Sequence, residues 1–179
     1  MTTVVAVQER GNVVFASDSQ VSWGGRKSLS QEKVFVNSGV VFGCAGDVRV
    51  ANVLRTAELP VLPAPVRSRS AVFGWLVTVL VPAMQGALEA AGALTVDQGQ
   101  TNNRGEFLVA VNNQVFEVGG DFAVTEERSG RYSVGSGSGY ALGALAVGAG
   151  VREAVEVSIG LDAFSGGRVR VVNSSEVVR

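Results

Sequence analysis

The stretch that decides how this chain is read is MTTVVAVQERGNVVFASDSQ, residues 1–20. Chain ends are usually held loosely, yet here an apolar, β-branched run begins almost at once. TTVVAVQ and NVVFASD both read as strands, and Arg10-Gly11-Asn12 between them is a tight-turn signal. The very end of the chain is therefore expected in the core. Either Thr2 and Thr3 simply open an edge strand, or the terminus is itself the working part.

At 179 residues the chain is expected to form one domain, 1–179, large enough to bury a core without staples. Hydrophobic residues at 46% and charged residues at 17% fit a globular protein with an Ala/Val/Gly-rich interior. The net charge of −1 gives no general pull toward nucleic acid or an anionic membrane. A single cysteine, Cys44, excludes an intramolecular disulfide and suits a reducing, cytoplasmic compartment. The start carries no secretory pattern. AVFGWLVTVLVPAM (71–84) contains Pro82 and is shorter than the ~20 residues that span a bilayer, so a buried helix is expected there.

The most informative count is the absence of histidine. It excludes Ser-His-Asp and Cys-His nucleophilic pairs and any imidazole metal site, and no zinc is expected. A hydrolase built from this chain needs another base: a carboxylate, a lysine or a terminal amine.

Beyond the opening hairpin, SQVSWGGRKSLS reads as a loop, and KVFVN with GVVFGCAG as two strands around Ser38-Gly39. DVRVANVLRTAEL places Val50, Ala51, Leu54 and Ala57 at helical spacing, with Asp47 as N-cap. A second, nearly all-apolar helix is expected over 70–93, bent or divided by Pro82. DQGQTNNRGE reads as a loop, and EFLVAV-NN-QVFEVGG as a hairpin turning at Asn112-Asn113. RYSVGSGSG runs from a strand into a Gly/Ser loop, YALGALAVGAG and VREAVEVSIGLDAF form a helical pair, and GRVRVVN is a last strand. Strands, two helices, strands, two helices and a strand do not make a βαβ alternation. Two antiparallel sheets with helices packed outside are expected instead.

Three local patterns carry candidate chemistry. GSGSGYALG (135–143) joins a strand to a helix but lacks the glycine at Tyr140 of a dinucleotide fingerprint and the Gly-Lys-Ser/Thr of a P-loop. It is either a plain turn or a loop presenting Ser136 or Ser138. Only Lys27 and Lys33 are lysines among 15 basic residues. Lysine can be tuned where arginine stays charged, and Lys33 opens an apolar strand where an inward charge would need a carboxylate, Asp18 being the candidate. Exposed strand-end charges are the alternative. DAFSGG (162–167) is either a glycine-terminated helix end or a way to bring Asp162 and Ser165 to a site near the chain start.

In order and spacing these residues resemble the proteasome β-subunit and HslV branch of the N-terminal nucleophile hydrolases, over nearly the whole chain. The resemblance rests on TTVVAV, ASDS, the lysine of KVF, GCAGD, the GSGSGYA loop and DxxSGG. Lys33 lies 15 residues after Asp18, one fewer than the family leads one to expect, a deletion placed between Trp23 and Ser30. The resemblance implies an α+β, four-layer αββα sandwich and a threonine endopeptidase. Met1 would be the whole prosegment, and its removal would expose Thr2, whose hydroxyl is the nucleophile and whose α-amine is the proton acceptor. Lys33, held by Asp18, would supply positive charge; Ser136, Asp162 and Ser165 would orient the amine and a water; the Gly43 N–H would stabilise the oxyanion. Val21, Val41, Ala45 and Arg49 match positions of the first specificity pocket, giving an expectation of cleavage after hydrophobic residues, with Arg49 able instead to admit an acidic one. No cofactor is implied. Partners implied are unfolded polypeptide substrates, stacked homo-oligomeric rings of six or seven, and a separate AAA+ unfoldase or α-type ring. A catalytically silent ring subunit and a small-molecule amidase are the other readings.

Overall fold

The computed structural model describes residues 2–9, 11–23 and 26–177. Two antiparallel sheets lie face to face. The first has the order β12 (Arg131–Val134), β1 (Val4–Glu9), β2 (Asn12–Ser17), β13 (Arg170–Asn173); the second has β11 (Val124–Thr125), β10 (Gln114–Val118), β9 (Gly105–Val111), β6 (Val40–Gly46), β5 (Val34–Asn37). Helices α1 (Val48–Thr56), α2 (Arg69–Trp75) and α3 (Val81–Ala90) cover the outer face of the second sheet, and α4 (Ser138–Ala146) and α5 (Val151–Leu161) that of the first. A short α6 (Ser174–Val177) follows β13. This is the α+β, four-layer sandwich expected from the sequence.

Three apolar layers hold it together. Val4, Phe15, Val41, Leu108 and Val115 fill the space between the sheets; Phe42, Phe107, Phe116, Trp75 and Met84 fill that under α1–α3; Val5, Ala16, Leu145 and Val155 fill that under α4 and α5. Each central strand is thus buried on both faces, which is why VVAV and VVFGCA read as continuous apolar runs. The β1–β2 register pairs Glu9 with Asn12, and Asn112 and Asn113 turn the β9–β10 hairpin at φ of 49° and 57°. The expected turn residue Arg10 lies outside the described residues.

Three expectations need correcting. Both stretches read as loops are two-stranded ribbons: β3 (Val21–Trp23) with β4 (Arg26–Ser28), and β7 (Thr95–Asp97) with β8 (Gln100–Asn102). The apolar helix stands where it was expected, over 70–93, but its apolar character runs past the 14 residues of 71–84. Arg69–Ala90 is continuous over 22 residues, long and apolar enough by length and composition to cross a membrane. Val72, Trp75, Leu76, Leu80, Met84 and Leu88 on it are instead buried against the second sheet. Pro82 does not divide it: the preceding turn widens to a π-helix at Leu76–Leu80, closed by the Val81 N–H on the Leu76 C=O, and this wider turn accommodates the N–H that Pro82 lacks.

Gly43, in the middle of β6, leaves the room β1 needs. A Cβ there would stand 2.7 Å from Val4 Cγ1 and 3.2 Å from the Phe15 ring. Gly43→Ala is expected to cost about 1–3 kcal/mol, the usual penalty for overpacking a filled core. Urea denaturation should register this as a lower midpoint; an unchanged midpoint would contradict the packing described.

Candidate active site

The site lies where β1 begins, β2 ends and the chain enters β5. Asp18, just past β2, is fully buried and has every lone pair engaged. Its Oδ1 accepts from the Thr3 N–H (2.9 Å) and from Lys33 Nζ (2.7 Å), its Oδ2 from the N–H groups of Gln20 and Gly166 (3.0 Å each). One carboxylate therefore ties together the start of β1, the entry to β5 and the 162–167 loop. Lys33 is 4% exposed. Burial pushes its pKa down, opposed by the charge and hydrogen bond of Asp18 and by the charge of Asp162. Lys27, by contrast, is exposed on β4.

A second network runs from Thr2 into the helical layer. The Thr2 N–H donates to Ser136 Oγ at 3.3 Å, and Ser136 Oγ donates to Asp162 Oδ2 at 2.7 Å. Ser165 Oγ donates to the same oxygen at 2.7 Å and is itself 2.7 Å from Thr3 Oγ. Ser165 has one proton, given to the carboxylate, so Thr3 is the donor in that last contact. Burial works against the Asp162 carboxylate, but the Ser165 and Ser136 hydroxyls and the Phe164 N–H outweigh it and hold its pKa below the ordinary value. The loop before α4 closes tightly on the chain start. Gly135 has φ of +95°, and a Cβ on it would collide with the Thr2 carbonyl oxygen.

The two threonines diverge. Thr3 is consumed by Asp18 and Ser165, whereas Thr2 lines a cavity of about 500 Å³ together with Lys33, Val21, Trp23, Ala45 and Gly46. Of the expected site residues, Thr2, Asp18, Lys33, Ser136, Asp162 and Ser165 come together here. Gly43 does not. Strand register directs alternate amides to opposite neighbours: Cys44 N–H bonds Lys33 C=O on the β5 side, and Asp47 N–H bonds Arg104 C=O on the β9 side. The Gly43 amide therefore faces Leu108 of β9, and its Cα faces the inter-sheet core. Gly46 is the glycine in the cavity wall. Its amide shares the β5 direction with Cys44, beyond the point where β5 begins, and its φ of +103° admits few residues but glycine.

The expected pocket residues also divide. Val21 and Ala45 line the cavity, joined by Cys44, Val48 and Ala51. Val41 is buried between the sheets, and the Arg49 guanidinium is turned to the Ala91 C=O at the end of α3. Neither lines the cavity. Sequence reading also missed Ser19 and Gln20. Both are buried; Ser19 Oγ donates to Leu29 C=O at 2.7 Å and accepts from Arg168 N–H at 2.8 Å, and Gln20 Nε2 donates to Ala163 C=O at 3.3 Å. Their signal was a run of four polar residues, Ser17–Gln20, directly continuing an apolar strand. Among the described residues no cluster of His, Cys, Asp or Glu could hold a metal ion.

This architecture is the N-terminal nucleophile hydrolase fold in its proteasome β-subunit and HslV form. The chain is similar to Thiobacillus denitrificans BPH, at 26% identity over 96% of both chains with a TM-score of 0.76. It is equally similar to the same protein in complex with epoxomicin, at 26% identity over 96% of this chain and 97% of that one with a TM-score of 0.75. Eukaryotic HslV from Trypanosoma brucei matches in fold, at 24% identity over 96% and 98% of the two chains with a TM-score of 0.62. No protein-family model matches the chain, and no curated protein matches it by sequence.

A buried ion pair stripped of one partner leaves an uncompensated charge. Asp18→Asn is expected to cost about 3–5 kcal/mol in urea unfolding for that reason. Asp18→Asn with Lys33→Met should recover much of the loss. Equal destabilisation of single and double variants would contradict the pairing.

Proposed function

We propose that this chain is a threonine-type endopeptidase in which Thr2, freed by removal of Met1, is the nucleophile. The observation that carries the reading is the placement of Thr2: in the cavity wall beside the buried Lys33, with its nitrogen on Ser136 and, through it, on Asp162. Met1 itself lies outside the described residues. With a free α-amine, Thr2 holds nucleophile and base in one residue, which suits a chain without histidine.

The Thr2 hydroxyl attacks the peptide carbonyl carbon and its proton passes to the α-amine. Lys33, kept in place by Asp18, puts positive charge beside the developing alkoxide. The Gly46 N–H is the donor we assign to the oxyanion, in place of Gly43. The amine then returns its proton to the leaving nitrogen, and water releases the acyl group from Thr2. No step calls for a cofactor. The apolar lining by Val21, Cys44, Ala45, Val48 and Ala51 favours cleavage after hydrophobic residues.

Assembly into stacked homo-oligomeric rings of six or seven, around unfolded polypeptide substrates and fed by a separate AAA+ unfoldase or α-type ring in the cytoplasm, completes the proposal. Support comes from the HslV-like neighbours and from Tyr140, Val147, Leu161 and Phe164, exposed apolar residues on and around α4 and α5.

Intact-mass measurement should find Met1 absent, and epoxomicin, bound in the BPH structure, should add its mass at Thr2. Thr2→Ala should keep its assembly and lose at least about 10³-fold in turnover, as removal of a nucleophile does. Retained Met1 with undiminished turnover would sink the proposal. A silent ring subunit would take up no probe, and a small-molecule amidase would run as a small particle on a sizing column. The amine must be neutral to accept a proton, so kcat/KM should rise with pH through one ionisation at or below ~8, the ordinary α-amine value. A flat profile between pH 5 and pH 9 would exclude the amine as base.

A further inference from the structure

The layer between the first sheet and its helices is apolar where α4 and α5 cross it, over Val5, Ala16, Leu145 and Val155. It changes character at the other end of β1, roughly 20 Å from Thr2. There the 148–150 turn between α4 and α5 overhangs the sheet and encloses a cavity of about 440 Å³. Val7, Val14 and Leu145 give it apolar walls; Glu9, Asn12 and Arg131 give it polar ones. Strand register explains why these three meet. Glu9 faces Asn12 across β1–β2, and Arg131 faces Val7 across β1–β12. Residues i and i+2 of a strand share a face, so Glu9 and Arg131 are diagonal neighbours, roughly 7–8 Å apart. Glu9 stands in the middle, with Asn12 on one side of it and Arg131 on the other.

The fold leaves all three unmatched. Among the described residues, Asn12 Oδ1 is buried without a hydrogen-bond partner, and neither the Glu9 carboxylate nor the Arg131 guanidinium makes an ion pair or a hydrogen bond. Arg131 is half-buried nonetheless. Other half-buried arginines are matched: Arg69 pairs with Glu126 at 2.7 Å, and Arg55 shares Glu32 with Arg170. Polar groups withdrawn from water without partners destabilise a fold, and a ligand that met all three would recover the loss.

The three groups specify that ligand. Glu9 and Asn12 present acceptors side by side, which suits the three donors of an ammonium. Arg131 presents a donor fork, which suits a carboxylate. The apolar walls between them suit an aliphatic side chain. A concave, largely apolar space of ~300–1,000 Å³ with a few convergent polar groups is the usual form of a small-molecule site. We infer that this cavity binds a free amino acid or dipeptide with an aliphatic side chain, its ammonium on Glu9 and Asn12 and its carboxylate on Arg131. The site stands apart from Thr2 and does not rest on the peptidase reading.

The test is isothermal titration of Thr2→Ala protein, in which a dipeptide stays intact. The probes are leucine and Leu-Leu, each also as its amide, without the carboxylate, and as its N-acetyl form, without the ammonium. The tighter of the two parent compounds identifies the source. Blocking either end should weaken binding at least about tenfold, the loss of one charge-assisted pair. Adding Arg131→Met should make the parent and its amide bind alike; adding Glu9→Gln should make the parent and its N-acetyl form bind alike. Neither side chain is matched within the fold, so neither change threatens folding. Equal weakening of every probe, with the ratios kept, would mean a loosened fold and overturn the inference. Unchanged affinity of the parent in both variants would place the ligand elsewhere and overturn it as well. So would the absence of binding by leucine and Leu-Leu up to about 10 mM, the weak limit of small-ligand recognition. No outcome depends on turnover, so loss of the peptidase reading would leave this site in place.

Discussion

The site depends on one buried carboxylate. Asp18 holds four donors from four parts of the chain, and one of them is the ammonium of Lys33. A carboxylate with all its lone pairs taken cannot turn, so the groups it binds inherit its position. The gain is in geometry more than in stability, because desolvating two charges offsets most of their attraction. Apolar residues of similar volume could hold the same segments together, but they would not set a cation beside Thr2.

The layered fold explains how that geometry is held at the entry to β1. β1 is an inner strand of its sheet, paired on both sides and buried on both faces, and Thr2, two residues before it, is held by the loop entering α4, its N–H on Ser136 Oγ and its C=O on the Gly137 N–H. The rest of the constellation descends from the helical layer: Ser136 from the loop entering α4, Asp162 and Ser165 from the loop leaving α5. These two loops sit side by side because α4 and α5 pack together over Val5 and Ala16. The core under the helices thus positions the Asp162 end of the network, while the core between the sheets positions β1 and, just before it, Thr2.

Much of this was legible in the sequence because apolar runs, Asn-Asn and the Asp47 cap are local signals with local causes. The polar residues Asp18, Lys33, Ser136, Asp162 and Ser165 stood out for a related reason: each interrupts or ends an apolar element. What was not legible depended on direction. Gly43 and Gly46 look alike in sequence, and only the β5–β6–β9 register says which way each amide points. Val41 shares a face with Ala45, but four residues of strand place it roughly 13 Å deeper, inside the core. Arg49 lies near the cavity in sequence and is drawn off by an α3 carbonyl that no pattern in its own helix announces. The β3–β4 and β7–β8 ribbons were missed because short two-stranded pieces with little to bury carry no apolar period.

The position of Thr2 in the cavity wall has a consequence for anything joined to its nitrogen. Consecutive Cα atoms are 3.80 Å apart, so a residue attached there has no distant place to go. The nitrogen itself lies beside the Ser136 hydroxyl, at the edge of the cavity that Thr2 lines. On the peptidase reading proposed above, an extension at this end would cover the amine that must take up a proton and would crowd the cavity from within. Where a laboratory tag or a fused partner is attached is therefore itself a control over access.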